Sequence, residues 1–384
     1  MKKSNSSPLL VAGVHQSTEA YPNTLYRVHQ LRNRFDAREV NVPMWSTTSG
    51  GWKSTRSPIH TLWRAITSHL QVAWAIGCRP HCNIIYIPYP APLVALLASL
   101  LPHRPRRIVV DGFISLYDTV VNDRKLWSPN SLLSRLLYKL ERHAFIKADI
   151  VLVDTLQNTK FYSKLFNLSP AHFLALPLAT NEVDYVPTPY SPSGKCCRVL
   201  FIGTLVPLHG IRTIIEAARR LASRQDVEFQ IIGDGADAPL LQAEIADLVN
   251  VTWQRRWYSA EELAREIKAS DICLGIFGDT DKTQRVCPYK IYSYSSIGRA
   301  IITGNTDWLQ SAAGSAPSPP FLGVPVNNPS ALADAIAFLA DSPQERIHLA
   351  ESARSFYAKH LSNAASMQLL ERLLFAESNE ARRE

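Results

Sequence analysis

Cysteine, charge and long apolar runs are all scarce in this sequence, and each scarcity removes a class of protein. Six cysteines among 384 residues (Cys78, Cys82, Cys196, Cys197, Cys273 and Cys287) show no spacing that suits a zinc site and read as plain thiols. The opening MKKSNSSPLLVAGV sets two lysines before an apolar run, but that run of about six residues is shorter than a secretory core and reads as a first buried strand. Thin cysteine usage and the lack of a signal peptide point to a reducing cytosol. The longest apolar stretch, Ile84–Leu101, is broken by Pro88, Pro90 and Pro92. What remains, LVALLASLL, falls far short of the roughly 20 residues that a membrane-spanning helix needs. Charged residues make up 19% and apolar residues 46%, which suits a globular chain and excludes a disordered one.

A chain of this length is too long for one core and suits two domains. Its charge is divided unevenly. Residues 1–190 hold 21 Lys and Arg against 11 Asp and Glu, a net of +10, while the remainder carries −2. A basic half can face nucleic acid or an anionic membrane. No nucleic-acid-binding motif accompanies the charge, so nucleic acid is not expected as a partner. The apolar LVALLASLL beside HRPRR (His103–Arg107) reads either as a buried crossover helix capped by a basic loop or as a helix on an anionic membrane surface, with a peripheral place at its inner face.

Short apolar runs alternate with helical patterns throughout, the signature of parallel sheets with crossover helices. In the first half the expected strands are LLVAGV, NIIYI, RRIVVDGF, DIVLVDT and FLALPL. The aperiodic stretch Val183–Lys195, rich in Pro and Ser, reads as a linker. A second set follows: RVLFIG, VEFQIIG, VTWQ, DICLGIF and AIITG. The expectation is an α/β fold of two Rossmann-like parallel-sheet domains facing a cleft. Residues 1–188 form the acceptor side and 189–355 the donor side. Residues 356–384 form a C-terminal helix that crosses back to the first domain.

The strand RVLFIG runs into the loop Thr204–Gly210 and then a helical run from Ile211. A helix N-terminus offers unpaired N–H groups and the positive end of its dipole, which makes an anion site. Lys282, Arg285 and Lys290 crowd a second such junction, and two of them on one sheet edge can hold a diphosphate. That leads to a nucleotide-sugar site. GDGADA (Gly233–Ala238) has the G-x-G-x-x-A form of a dinucleotide fingerprint. The acid such a fingerprint needs at the end of the next strand is absent, since Gln254-Arg255-Arg256 stand there. Asp279-Thr280-Asp281 could chelate a hard cation, but it lies beside Lys282 and Arg285, and cations can neutralise a diphosphate without metal. No metal and no cofactor are expected.

Four segments, FIGTLVPLHGIRTIIEAA, IIGDG, SDICLGIFG and PYKIYSYSSIGRAIITG, resemble the donor domain of the retaining glycosyltransferases of the GT-B fold, family 4 or group 1. Val109–Arg124 and Ala148–Thr155 look similar, less specifically, to that group's acceptor domain. The resemblance implies transfer of a sugar, with retention, from a nucleotide-sugar donor to a hydroxyl of a glycan or lipid-linked acceptor. Cell-surface polysaccharide or glycolipid synthesis is the implied setting. It assigns donor binding to Gly203, Thr204, Gly210, Gly233, Asp234, Lys282, Arg285 and Ser293. Catalysis falls to Asp111, His209 and Lys290, and Gly13, His15 and Asp118 lie on the acceptor side. The chain departs from the pattern where Arg285 and Ser293 stand in place of two glutamates eight residues apart. Those departures allow a second reading, a catalytically degenerate module that binds nucleotide or glycan without turnover.

Overall fold

Runs such as Leu9–Gly13 and Ile150–Val153 are buried along their whole length, and strands of that kind must be covered on both faces. The computed structural model describes residues 9–44, 58–79, 82–103, 105–192, 194, 196–316 and 318–375. Lys2, Lys3, Arg104, Lys195 and the charged tail after Phe375, all part of the sequence reading, lie outside the described residues. The chain divides into two units, Met1–Ala179 with Ser366–Glu384, and Thr180–Ala365.

In the first unit the order is β1 (Leu9–Gly13), α1 (Pro22–Phe35), β2 (Arg38–Asn41), α2 (Pro58–Gly77), β3 (Ile84–Ile87), α3 (Pro92–Ser99) and β4 (Arg107–Asp111). It continues with α4 (Leu132–Lys147), β5 (Ile150–Val153), α5 (Leu156–Phe166) and β6 (Phe173–Ala175). All neighbours pair in parallel, in the sheet order β2-β1-β3-β4-β5-β6. That is a doubly wound order whose direction reverses between β1 and β3, so ligands are expected outside the carboxyl ends of those strands.

The second unit has β7 (Cys197–Ile202), α6 (Ile211–Arg220), β8 (Val227–Ile232), α7 (Ala238–Glu244), β9 (Val251–Gln254), α8 (Ala260–Lys268) and β10 (Ile272–Leu274). After these come α9 (Asp281–Arg285), α10 (Tyr289–Ile297), β11 (Ala300–Gly304), α11 (Asp307–Gly314), β12 (Leu322–Val324), α12 (Pro329–Asp341) and α13 (Pro343–Phe356). Its sheet order, β12-β11-β10-β7-β8-β9, is the Rossmann order, with the reversal between β7 and β10. The final helix α14 (Asn363–Phe375) belongs from Ser366 onward to the first unit.

Two layers cover the first sheet. Val72 and Ile76 of α2, Val94 and Ala98 of α3, and Phe145 of α4 pack on one face. Val28 and Leu31 of α1 with Met367, Leu370 and Leu374 of α14 pack on the other. Three elements lacked a sequence signal. β2 reads REVN and β12 is only three residues long, so neither carries an apolar run. α2 is apolar over more than half of its circumference, which broadens the single stripe that marks a surface helix. The apolar LVALLASLL is a core crossover helix, α3, with Val94, Ala95 and Ala98 buried.

The stretch expected as a linker is packed onto the second unit, and the division between units falls earlier, after Ala179. Tyr185 is buried and its carbonyl accepts from Ser296 Oγ. Tyr190 donates to Asp271 Oδ1 and receives a hydrogen bond from Arg346 Nε at 2.8 Å. These polar anchors hold a segment that has no periodic pattern of its own.

One buried guanidinium ties the first unit's termini together. Arg27 on α1 donates through Nη1 to Ser366 Oγ at 3.1 Å and through Nη2 to the Pro177 carbonyl. Replacing it with Ala would strand these acceptors and remove the cation whose charge favours the ionised form of the buried Asp111. Arg27→Ala is therefore expected to lower the stability of the chain by about 3 kcal/mol, measured by urea denaturation.

Candidate functional site

At the β7/β10 reversal of the second unit, two loops lock onto each other. β7 ends at Ile202, whose N–H donates to Tyr294 Oη at 3.0 Å. The following loop closes with a 3₁₀ turn at Pro207–His209 and Gly210 in the left-handed region, φ +65°. A Cβ on Gly210 would also lie 2.5 Å from Gly278 N, so only glycine fits there. Across this contact Phe277 N donates to the His209 carbonyl at 3.1 Å and Gly278 N to the Leu208 carbonyl at 3.2 Å. Both helices that start here, α6 and α10, lack a side-chain N-cap, which leaves N–H groups of their first turns for another acceptor.

Lys290 sits in the first turn of α10 and is only 7% exposed. Its ammonium lies 3.7 Å from the centre of the Phe201 ring and 3.4 Å from the Gly275 carbonyl. Among the described residues no carboxylate comes within ion-pair distance of it. Burial pushes the Lys290 pKa well below the usual lysine value. The space it occupies depends on Gly203, where a Cβ would stand 2.9 Å from Nζ and 3.0 Å from the His209 ring. His209 packs edge-on against Phe201 at 5.6 Å, and its Nδ1 is buried without a partner among the described residues. Burial first, and then the charge of Lys290, hold this imidazole well below the ordinary histidine range and hence neutral. Ser293 follows one turn after Lys290, also buried.

Other expected donor residues stand nearby with partners of their own. Gly233, φ +139°, comes so close that a Cβ would fall 2.0 Å from the Gly203 carbonyl oxygen. The adjacent Asp234 takes a backbone bond from Leu205 N at 3.0 Å, while its carboxylate accepts from Gly235 N and Arg255 Nε. Thr204 is exposed in the loop. Lys282 and Arg285 lie on α9, apart from the turn that carries Lys290. The buried Arg285 is paired with Asp281 at 3.1 Å, so its charge is compensated within its own helix. Asp279 accepts from Asn327 Nδ2. No group of three His, Cys, Asp or Glu among the described residues could hold a metal ion.

The acceptor-side residues lie in the first unit, around its own β1/β3 reversal. His15 is fully buried, with Nε2 3.3 Å from Glu39 Oε1, and this bond lowers the Glu39 pKa. A Cβ on Gly13 would strike the His15 ring at 2.8 Å. Asp111 ends β4 but is turned into an internal network. It accepts from Tyr86 Oη at 2.9 Å, Asn23 Nδ2 at 3.4 Å and Phe113 N at 3.4 Å, and burial raises its pKa. Asp118 is buried in a π-helical turn and accepts from Asn122 Nδ2.

Several residues that build these sites carried no sequence signal. Phe201 looks like any core residue of an apolar strand, and Asn23, Arg27 and Tyr86 meet Asp111 from distant elements. Glu141 on α4 is another. Its carboxylate accepts from Ser115 Oγ at 2.8 Å, Leu116 N at 2.9 Å and Tyr117 N at 2.9 Å, pinning the loop that leads to Asp118.

Burial raises the Glu141 pKa to about 7 against these hydrogen bonds. In the unfolded chain the group titrates near 4.5, so the folded state binds the extra proton between those values. Its contribution to stability is thus full below about pH 4.5 and is lost as pH rises through about 7. Glu141→Gln would point an NH₂ group at one of the backbone donors. The variant is expected to lose about 1–3 kcal/mol and to show a flatter fall in Tm between pH 5 and pH 8 than the parent chain.

Residues 196–342 match the family described as Glycosyl transferases group 1. No curated protein matches the chain by sequence. Among solved structures, Anabaena HepE in complex with UDP superposes with a TM-score of 0.68 at 13% identity, over 95% of this chain and 99% of that one. Sucrose-phosphate synthase from Thermosynechococcus elongatus gives 0.68 at 16% identity, over 96% and 98%. WaaG, a glycosyltransferase involved in lipopolysaccharide biosynthesis, gives 0.64 at 13% identity, over 96% and 100%. The matched segment opens at β7 and includes both interlocked loops, Lys290 and α12. The second unit thus carries a segment similar to the group 1 glycosyl transferases, in a chain that shares the two-domain α/β fold of these solved structures.

Proposed function

We propose that the chain transfers a sugar, with retention, from a nucleotide-sugar donor to a hydroxyl of a glycan or lipid-linked acceptor, in making cell-surface polysaccharide or glycolipid. Lys290 is the observation that carries the donor half of this reading. A buried ammonium without a carboxylate, at a strand–loop–helix junction with two uncapped helix starts, is a seat for a multiply charged anion. A nucleoside diphosphate has the matching charge, and HepE has been crystallised with UDP and with UDP-glucose. The acceptor class, the retention and the pathway rest on the family resemblance.

In this reading Lys290 and the first-turn N–H groups of α6 and α10 meet the diphosphate oxygens. Negative charge builds on those oxygens as the bond to the sugar breaks, so their stabilisation grows toward the transition state. The neutral His209 beside Lys290 offers a hydrogen bond without adding charge repulsion. The glycines at 203 and 210 let backbone and ligand approach closely. Asp111 is hydrogen-bonded inside the first unit, which suits holding the β4 loop better than taking a proton from the acceptor. Asp118 is turned inward onto Asn122 in the same way, so His15, whose Nδ1 has no partner among the described residues, remains the candidate for contact with the acceptor hydroxyl.

Lys290→Ala is expected to lower turnover by about 10²-fold or more, followed as nucleoside diphosphate release. Wild-type turnover in that variant would remove Lys290 from the site. We also propose that transfer needs no metal, because Asp279 and Asp281 are engaged with Asn327 and Arg285. Activity should survive a strong chelator, and loss that manganese or magnesium restores would return these aspartates to the site. Slow donor hydrolysis without acceptor separates an active enzyme from a binding module, which would bind the donor and leave it intact.

A further inference from the structure

Helix α2 is apolar on the side that faces away from its sheet. Val72 and Ile76 pack inward, yet Trp63 and Trp74 are 67% and 74% exposed, with Ile66 and Leu70 exposed between them. At about 100° per residue, these four side chains fall within an arc of roughly 80° opposite the buried set, along about 16 Å of helix. They form a continuous outward stripe with an indole at each end.

The neighbouring elements extend this face. α2 packs on α3 and α3 on α4, and all three cover the same side of the first sheet. Outward on α4 are Leu132, Leu133 and Leu136, then Arg135, Lys139 and His143. Leu100, just past α3, is also exposed. The charge on this face has one sign. The sequence contains no Asp or Glu between Glu39 and Asp111, which spans all of α2 and α3. The one acid of α4, Glu141, is buried and turned onto the Ser115–Tyr117 backbone.

Exposed apolar patches of this size mark interaction surfaces. Two features decide the occupant. Tryptophan favours the boundary between headgroups and acyl chains, and a helix lying in that boundary buries one apolar face while cations flank it. The exclusive positive charge is complementary to anionic headgroups. We propose that the outer faces of α2 and α4 dock the first unit onto an anionic lipid bilayer. Trp63, Ile66, Leu70 and Trp74 enter the interface, and Arg135 and Lys139 meet the headgroups.

This assignment moves the membrane face away from the HRPRR cluster singled out in the sequence. Arg107 of that cluster is bound to the carbonyls of Leu373 and Leu374 at 2.8 and 2.9 Å, inside the unit. The proposal stands whatever sugar is transferred, because it rests on a surface remote in kind from the donor chemistry.

Vesicle sedimentation of the full chain tests it, with phosphatidylcholine vesicles and with vesicles of phosphatidylcholine and phosphatidylglycerol. Binding is expected to the anionic vesicles, falling as salt rises. Trp63→Gln with Trp74→Gln should weaken it at least tenfold, and Arg135→Ser with Lys139→Ser about fivefold for each charge removed. All four substitutions are at exposed positions, and unchanged circular dichroism and unchanged nucleoside diphosphate release would confirm that the variants are folded. No sedimentation with anionic vesicles, or sedimentation that the tryptophan variant does not change, would overturn the proposal. So would a two-chain mass by light scattering that reverts to one chain in the tryptophan variant, since the face would then belong to a second copy.

Discussion

Burying an ammonium group away from water costs several kcal/mol unless an anion shares the site. The carboxyl edge of the second sheet is arranged around one such group. Lys290 is packed on the Phe201 ring and the Gly275 carbonyl, in space that exists only because position 203 has no side chain. Gly210 in turn allows the loop bearing His209 to pass against Gly278, and Gly233 lies flush on the Gly203 carbonyl. Each of these contacts brings backbone close to the ammonium without supplying a negative charge. A site built this way is incomplete until an anion fills it, and that incompleteness is the physical basis for reading it as a donor site.

The first unit solves a different problem. Its buried carboxylates among the described residues are provided for: Asp111 by Tyr86 and Asn23, Asp118 by Asn122, and Glu141 by Ser115 and two backbone N–H groups, while the half-buried Glu39 is held by His15. Those networks stiffen the loops after β1 and β4, where an acceptor would be expected in a doubly wound sheet. The two units thus differ: the first holds its loops with satisfied polar networks, while the second buries an ammonium with no carboxylate partner among the described residues. The outward tryptophans of α2 add a third element, the face proposed above to dock on a lipid surface.

Much of the fold was legible because its central strands are unbroken apolar runs ended by glycine, as in RVLFIG and AIITG. Gly203, His209, Gly210 and Lys290 could be grouped from strand–loop–helix grammar, and they do lie together. The grammar could not show that Arg285 turns to Asp281, because an i,i+4 pair forms only once α9 exists. Nor could it place Asn23 and Arg27 near Asp111, since those contacts join residues more than 80 positions apart. α2 escaped notice for the reason that makes it interesting. Apolar residues on its outer face blur the helical period, and a pattern read only for cores has no place for a surface that is meant to be covered by something else.

The most direct test of the account is the proton balance of diphosphate binding. Titration calorimetry with UDP and with GDP, at a series of pH values from about 6 to about 10 in buffers of different ionisation enthalpy, measures protons taken up per ligand bound. Burial holds the Lys290 pKa well below the lysine range, and an adjacent diphosphate would raise it again, so binding should draw protons from the buffer. That uptake should vanish in Lys290→Met. Binding without proton uptake at any pH in the series, or uptake that survives the substitution, would contradict the claim that the buried ammonium is the donor's counter-charge.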